Sequence, residues 1–529
     1  MRNALLLTLT AALLAGCTSH APQQTPPQTP PPPRAQTLDF SGFEGQKAAL
    51  TTAGLRVFGK NATLAQDLEP EYIAVAPDGK TAWVSLQENN ALAILDLEAR
   101  RVRQIVPLGF KDHSLPGQGL DASDKDAQAN IRNWPVLGMY MPDGIAAFSV
   151  GGQTYLVSAN EGDAREYDGL EEETRVSRLR LDPTAFPNAA ELQKETQLGR
   201  LNVTNTLGDT DGDGDFDRLY AFGARSLSVW DASGRLLADT GDLLERKMAE
   251  LLPAHFNADH GSNTLDNRSD NKGPEPEGVT VGVVGGKTLA FLGLERASGI
   301  VVLDVSDPRA PKFVQYFNPR DFTQAPESGN AGDLGPEGLL FVPATDSPNG
   351  QPMLVVGNEV SGSTTLYRVQ DSGQLSMLGR YQVSPFAFDE GAAEIPAYDA
   401  GSRRVFVVNG ATGGLDVLDV SDPTRPTLVK SLSLAAYGGS ANSVAARGGV
   451  IAVAVQNDAD KQANGRVVFF DKDGRELGQE GVGALPDMLT FTPDGKTVLV
   501  ANEGEPSSDY TRDPVGSVTL LDVAQIIGK

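Results

Sequence analysis

Short apolar runs separated by polar turns repeat along most of this chain. Runs such as "TYLVSAN" (154–160), "MLVVGNE" (353–359) and "TVLVAN" (497–502) are apolar at consecutive positions. That pattern suits strands covered on both faces. Each is followed by a run ending in Asp, as in "ALAILDL" (91–97), "GIVVLDVSDP" (299–308), "GLDVLDVSDP" (414–423) and "SVTLLDV" (517–523). Asp there starts a turn with its side chain. No long amphipathic helix interrupts the series, so the pattern predicts an all-β fold of short, evenly spaced strands.

A second regularity sits in front of the apolar runs. Pro70-Glu71, Pro142-Asp143-Gly144, Pro276-Glu277-Gly278, Pro336-Glu337-Gly338 and Pro486-Asp487 each open a strand. Their spacings read as multiples of a unit of roughly 50 to 70 residues. Silent slots near 210, 390 and 440 bring the count to eight units. Four strands per unit predict a single β-propeller of seven or eight blades, with long loops at about 110–140, 165–215 and 240–275. Pro is tolerated as the first residue of a strand, and Gly lets a neighbouring backbone come close. First strands line a propeller's channel, so Glu71, Asp143, Glu277, Glu337 and Asp487 are expected to converge at one end. They serve there either as backbone acceptors joining blades or as a cation site. The ends of the second strands add pocket candidates on one face: Asn160, Glu161, Glu295, Asn358, Glu359, Asn502 and Glu503.

Composition narrows the partners. The 529 residues carry a formal charge of -25, from 69 acidic and 44 basic side chains. Nucleic acid is excluded as a partner, since phosphate binding needs clustered Lys and Arg. The acidity suits a protein that collects cations.

The N-terminus points to an address. Arg2 and the apolar stretch 4–15 have the form of a signal peptide over 1–16. They run into Leu14-Ala15-Gly16-Cys17, which resembles the lipobox of bacterial lipoproteins. The resemblance implies that Cys17, the single cysteine, carries the lipid that attaches the chain to a membrane. Residues 17–39 then read as a Pro-rich tether and 40–529 as the propeller, facing the periplasm or exterior of a bacterial cell envelope.

Asp209, Asp211, Asp213, Asp215 and Asp217 form the clearest metal motif. Carboxylates stand at loop positions 1, 3, 5 and 9, with Gly214 at position 6, in the manner of a calcium loop. Tyr220 occupies position 12, where an EF-hand has its bidentate Glu, so a structural Ca2+ is expected rather than an EF-hand sensor. No nucleophile elbow or phosphate loop is present. Ser269 in "RSDNK" is the one candidate nucleophile, and His255 and His260 read as a surface pair.

Several segments resemble known repeats. "PDGKTVLVAN" (493–502) is similar to YVTN blades, and "LDVSDPRAPKFV" (303–314) to LVIVD repeats. "VSANEGDAREYDG" (157–169), "DTDGDGDFDRLYAFGARSLSVWD" (209–231), "RSDNKGPEPEGV" (268–279) and "VANEGEPSSDYTRDPVGSV" (500–518) together resemble the choice-of-anchor I family over about 40–525. That resemblance implies a surface protein with varied anchors, here expected at Cys17 rather than at the C-terminus. Two functions follow as expectations. One is a lipid-anchored propeller that binds a ligand or partner, with structural calcium. The other is a calcium-dependent, alkaline-phosphatase-like phosphoesterase, because relatives are often labelled so.

Overall fold

The computed structural model describes residues 34–528; Cys17, the expected signal peptide and most of the tether lie outside them. Among the described residues, seven four-stranded antiparallel sheets form the blades of one propeller. Blades 1 to 6 span 73–107, 145–239, 276–317, 336–382, 396–432 and 441–484. Blade 7 takes three strands from 486–522 and its outermost strand from Ala35–Asp39. The last five residues expected in the tether therefore close the ring. Pairing of the two chain ends in one sheet leaves no blade-sized gap through which the ring could open.

The order of the innermost strands is cyclic. Each touches the next, from Ile73–Val75 of blade 1 round to Pro486–Phe491 of blade 7, which returns to blade 1. Seven apolar clusters lie between successive blades. The second strands are the ones apolar on both faces, because both faces meet a neighbouring blade. Thr81–Leu86 and Met353–Asn358 are buried almost throughout, whereas the outer strand Thr427–Leu432 is largely exposed. The Asp that ends the third strand in every blade but the fourth starts the following turn. Asp96, Asp304 and Asp419 accept backbone N–H groups of Ala99, Ser306 and Ser421 at 2.9, 3.0 and 2.8 Å.

Seven blades replace the eight slots. The slots near 390 and 440 hold blades 5 and 6, but the slot near 210 holds none. It falls within an insertion, 161–225, between the second and third strands of blade 2. The insertion has its own apolar core, shared with the 108–144 connection, around Trp134, Val176, Phe186, Leu201 and Leu219. Period counting assumes a continuous unit, and an insertion with its own core occupies one unit's length without making a blade.

Candidate functional site

Every innermost strand begins on the same end of the channel, and every second strand ends there. Two tiers of side chains therefore meet at the mouth. Glu71, Asp143, Glu277, Glu337 and Asp487 form the first tier, and Glu88, Glu161, Glu295, Glu359 and Glu503 form the second. All ten line one cavity of about 600 Å3. With Asp163, Asp389 and Glu505 it has thirteen lining carboxylates, against Lys272 and Arg296 as permanent cations and His260.

The backbone at each strand start explains how the acids reach the cavity. In blades 2, 3, 4 and 7 the residue before Pro is left-handed: Met141, Glu275, Gly335 and Leu485 have φ of 41°, 50°, 66° and 47°. Three of these are not glycine, and such strain persists only where the surroundings enforce it. Pairing then slips between Pro276 and Val279, Pro336 and Leu339, and Pro486 and Leu489. A bulge of this kind re-aims a side chain, and the first of the two residues inside it is the acid.

Blades are joined here by main chain, with the side chains left free. Gly144 donates its N–H to the Glu277 carbonyl at 3.2 Å. A Cβ on Gly278 would stand 1.8 Å from the Glu337 carbonyl oxygen, and one on Gly338 2.7 Å from that of Glu394. Among the described residues no backbone N–H of a neighbouring blade reaches the five first-tier carboxylates. Glu71, Glu277 and Glu337 each keep a buried Oε2 without a donor.

Burial and mutual repulsion shift these groups. Burial, then Glu295 and Glu161, hold Glu277 well above the usual carboxylate range; burial, then Glu161 and Asp487, do the same to Asp143. Glu71 and Glu337 are raised by burial and by Glu88 and Glu394 respectively. Burial pushes Glu161 to about 7 despite Lys272, and burial with Glu295 pushes Glu359 to about 8. Asp487 rises to about 7 through burial and Glu505. Glu275 is the exception. Lys272, Arg268 and Arg296 outweigh its burial and hold it well below the ordinary range.

Three groups of donors here are close enough to share an ion, and one of them, Glu161, Glu275 and Glu295, is already neutralised by Lys272 and Arg296. Asp143, Glu161 and Glu277 each offer an oxygen within 4.8 Å of the others, as do Glu295 and Glu359 with a ring nitrogen of His260. Lys272 is 2.6 Å from Glu161, and Arg296 is 3.1 Å from Glu295, so the cations stand along one wall.

The structure sorts the expected residues. Of the pocket candidates, Glu161, Glu295, Glu359 and Glu503 line the cavity, whereas Asn160, Asn358 and Asn502 do not. Asn160 bonds Ser226 and Ser228 inside blade 2, Asn358 bonds the Ser363 carbonyl inside blade 4, and Asn502 bonds Ser517 and Thr519 inside blade 7. The Asn of the recurring Asn-Glu pair ties its blade together and the Glu faces the mouth. Glu88 and His260 were missed. The register of Glu161 and Glu503 is held in blade 1 by Gln87, which donates to Glu161 Oε2 at 3.0 Å, and Glu88 lies one residue beyond it, off the repeat. His260 comes from the 240–275 connection, which carries no repeat, and it is buried rather than at the surface. Glu394 and Asn442 occupy the first-tier register of blades 5 and 6 without the Pro-acid spelling. Asn442 lines the cavity and Glu394 does not.

The Asp-rich loop lies apart from the mouth, in the insertion. Asp209 accepts N–H groups of Gly212 at 2.7 Å and Gly214 at 3.0 Å, and Asp209, Asp211 and Asp217 bring oxygens within 4.8 Å of one another. Asp213 and Asp215 turn toward Arg180, at 3.6 and 3.3 Å, and Asp215 also brings an oxygen within 4.8 Å of Asp182 and Asp217. The donor set is hard oxygen throughout and fits Ca2+ through three of the five expected acids. Ser269 has no exposed surface, and its hydroxyl is spent on Asp266. No substrate reaches it.

Comparisons with known proteins follow this architecture. The model of the choice-of-anchor I domain matches residues 24–308 and 394–528; the gap between them contains blade 4. Gigasin-3a of Magallana gigas is 30% identical over 192 residues, 34% of this chain and 67% of that protein. The mesenchyme-specific cell surface glycoprotein of Strongylocentrotus purpuratus is 30% identical over 279 residues, 46% of this chain and 36% of that protein. The match thus spans about a third of the sea urchin protein's length. Among solved structures, the Cps50 (Swd1) β-propeller domain of Myceliophteria thermophila aligns over 86% of this chain and 96% of its own, at 11% identity and a TM-score of 0.44. The Dos1 propeller aligns over 86% and 92%, at 12% identity and a TM-score of 0.40.

Proposed function

The chain belongs to the choice-of-anchor I family, a β-propeller at the cell surface or envelope, and from that premise we propose that its acid-lined channel mouth binds a cation or the cationic group of a ligand. One observation carries this reading: thirteen carboxylates line a single cavity, and three in the first tier keep buried oxygens that nothing within the protein satisfies. Two unit charges ~8 Å apart repel by about 2 kcal/mol at an effective dielectric near 20. Many such pairs in one cavity favour uptake of positive charge. Asp143, Glu161 and Glu277 are the ligands of choice, with Glu295, Glu359 and His260 as a second position. Structural Ca2+ in the Asp209–Asp217 loop and a lipid on Cys17 complete the reading.

Calcium titration calorimetry tests the mouth. The measurement uses an Asp211→Ala, Asp213→Ala background, so that the exposed loop contributes nothing. Asp143→Asn with Glu277→Gln should weaken the mouth's share of the remaining binding at least tenfold while the far-ultraviolet spectrum is unchanged. An identical isotherm would remove the mouth as a cation site. The address is tested separately: Cys17→Ala should move the protein from the detergent phase to the aqueous phase, and retention on washed membranes would refute the lipid anchor.

A further inference from the structure

Outside the mouth cavity, the two long connections flanking blade 2 meet over another group of carboxylates. Asp121 belongs to the 108–144 connection, Glu245 to the helix Leu243–Leu251, and Asp266 to the segment that leads into blade 3. Each is 1% exposed. Among the described residues Arg225 is the one cation in hydrogen-bonding contact with the group, donating to Glu245 Oε1 and to the Asp121 carbonyl, both at 2.7 Å. Three buried carboxyl groups thus face one guanidinium, and burial with mutual repulsion pushes Asp121 to about 7 and Asp266 to about 8, so the group takes up protons or a cation.

Following the donors locates the imbalance. Ser269 has a single hydroxyl proton, and it goes to Asp266 Oδ1. Its oxygen must then accept from Asn257 Nδ2, at 2.8 Å. The Asn257 amide nitrogen also donates to Glu245 Oε1 at 2.9 Å, so nitrogen faces both partners and the orientation of the amide is fixed. Asn257 Oδ1 is left facing the other way. It and Asp266 Oδ2 are both buried and both lack a donor, on residues 0% and 1% exposed. Asp121, the strongest charge acting on Asp266, accepts N–H groups of Ser123 and Asn130 and offers no donor in return.

We propose that a hard divalent cation of the calcium class is held by Asp266 Oδ2, Asn257 Oδ1 and the Asp121 carboxylate, clamping the two connections together. The donor set contains only oxygen, which selects calcium or magnesium over the thiolate- and imidazole-seeking metals. Ligands drawn from two irregular segments suit the loose geometry of calcium better than the strict octahedron of magnesium. The clamp lies next to the segment that sends His260 and Lys272 into the mouth, so it orders that wall. It is independent of any ion in the mouth itself.

Hydrogen exchange of the full chain tests the clamp, in the Asp211→Ala, Asp213→Ala background with calcium alone as the probe. Chelation should raise exchange in 119–132 and 256–271, and unchanged exchange in both segments would overturn the proposal. Asp266→Asn supplies a second readout. Without calcium it should melt no lower than its parent, because it removes a buried unpaired charge while keeping an acceptor for Ser269. With calcium the parent should melt several degrees higher and Asp266→Asn should lose that part of the gain. An equal calcium-induced shift in both proteins would overturn the clamp. The loss in Asp266→Asn must add to whatever loss Glu277→Gln produces at the mouth, which separates the two sites. If Asp266→Asn does not fold, exchange in the parent decides alone.

Discussion

Gly278 shows how much one residue carries at the mouth. It follows Glu277, and its Cα hydrogens face the Glu337 carbonyl of the next blade, where a Cβ would stand 1.8 Å away. Backbone cannot yield as a flexible side-chain tip does. Gly278→Ala should therefore cost about 1–3 kcal/mol, the usual penalty for forced overpacking, read as a lower midpoint in urea. Gly45→Ala, with nothing within 4 Å of the added carbon, is the matched control and should lie within about 0.5 kcal/mol of wild type. Equal midpoints for the two variants would remove the close approach as the reason for glycine. The acid beside it answers to different physics. Replacing Glu277 by Gln removes a charge whose buried oxygen has no donor, so its effect belongs to binding more than to folding.

At the scale of an element, the Asp-rich loop makes the clearest separate claim. Asp209 organises the turn through Gly212 and Gly214, whose φ of 81° and 87° suit glycine alone. The carboxylates of Asp209, Asp211 and Asp217 stand close together. Calcium that binds only the folded state stabilises it by about 2.7 kcal/mol at a hundred times its dissociation constant. In a thermal melt, Asp211→Ala with Asp213→Ala should lose that increment and leave the remaining calcium response intact. A calcium-induced shift of undiminished size in the double variant would show that the loop holds no ion. The recurring Asn-Glu dipeptide is a second element-scale device. Asn160 and Asn502 hold strands within their blades, while Glu161 and Glu503 project to the cavity, so adjacent residues divide structure from function.

For the whole molecule, the mouth predicts how stability depends on pH. Asp and Glu in an unfolded chain release protons near pH 4, whereas folding moves Glu161 and Asp487 to about 7 and Glu359 to about 8. Between those values the folded state holds more protons than the unfolded one, so stability falls as pH rises. Each unit of displacement is worth about 1.4 kcal/mol, and several acids contribute. The metal-free protein should therefore lose stability as the pH rises from about 4.5 to 8. Saturating calcium should flatten the slope, because the cation replaces the protons. A metal-free profile that is level between pH 5 and 8 would contradict this account of the cavity.

Much of this was readable in the chain itself. Runs apolar on successive positions marked second strands, since only strands covered on both faces tolerate them. Pro-acid-Gly marked the strand starts, because the requirements of Pro and Gly are local and leave a spelling. The same spelling puts Glu71, Asp143, Glu277, Glu337 and Asp487 at one end of the channel. Blade number, by contrast, depended on whether 161–225 packs as a sheet or as its own core, and similar apolar residues serve either outcome. Closure by Ala35–Asp39 joins residues almost five hundred positions apart, a pairing that no local pattern records. Glu394 and Asn442 share the ring's register without its spelling, and His260 and Lys272 arrive at the mouth from a connection with no repeat. Sequence determines what each short segment prefers; the folded ring alone decides which segments meet, because meeting depends on closure and on long-range packing.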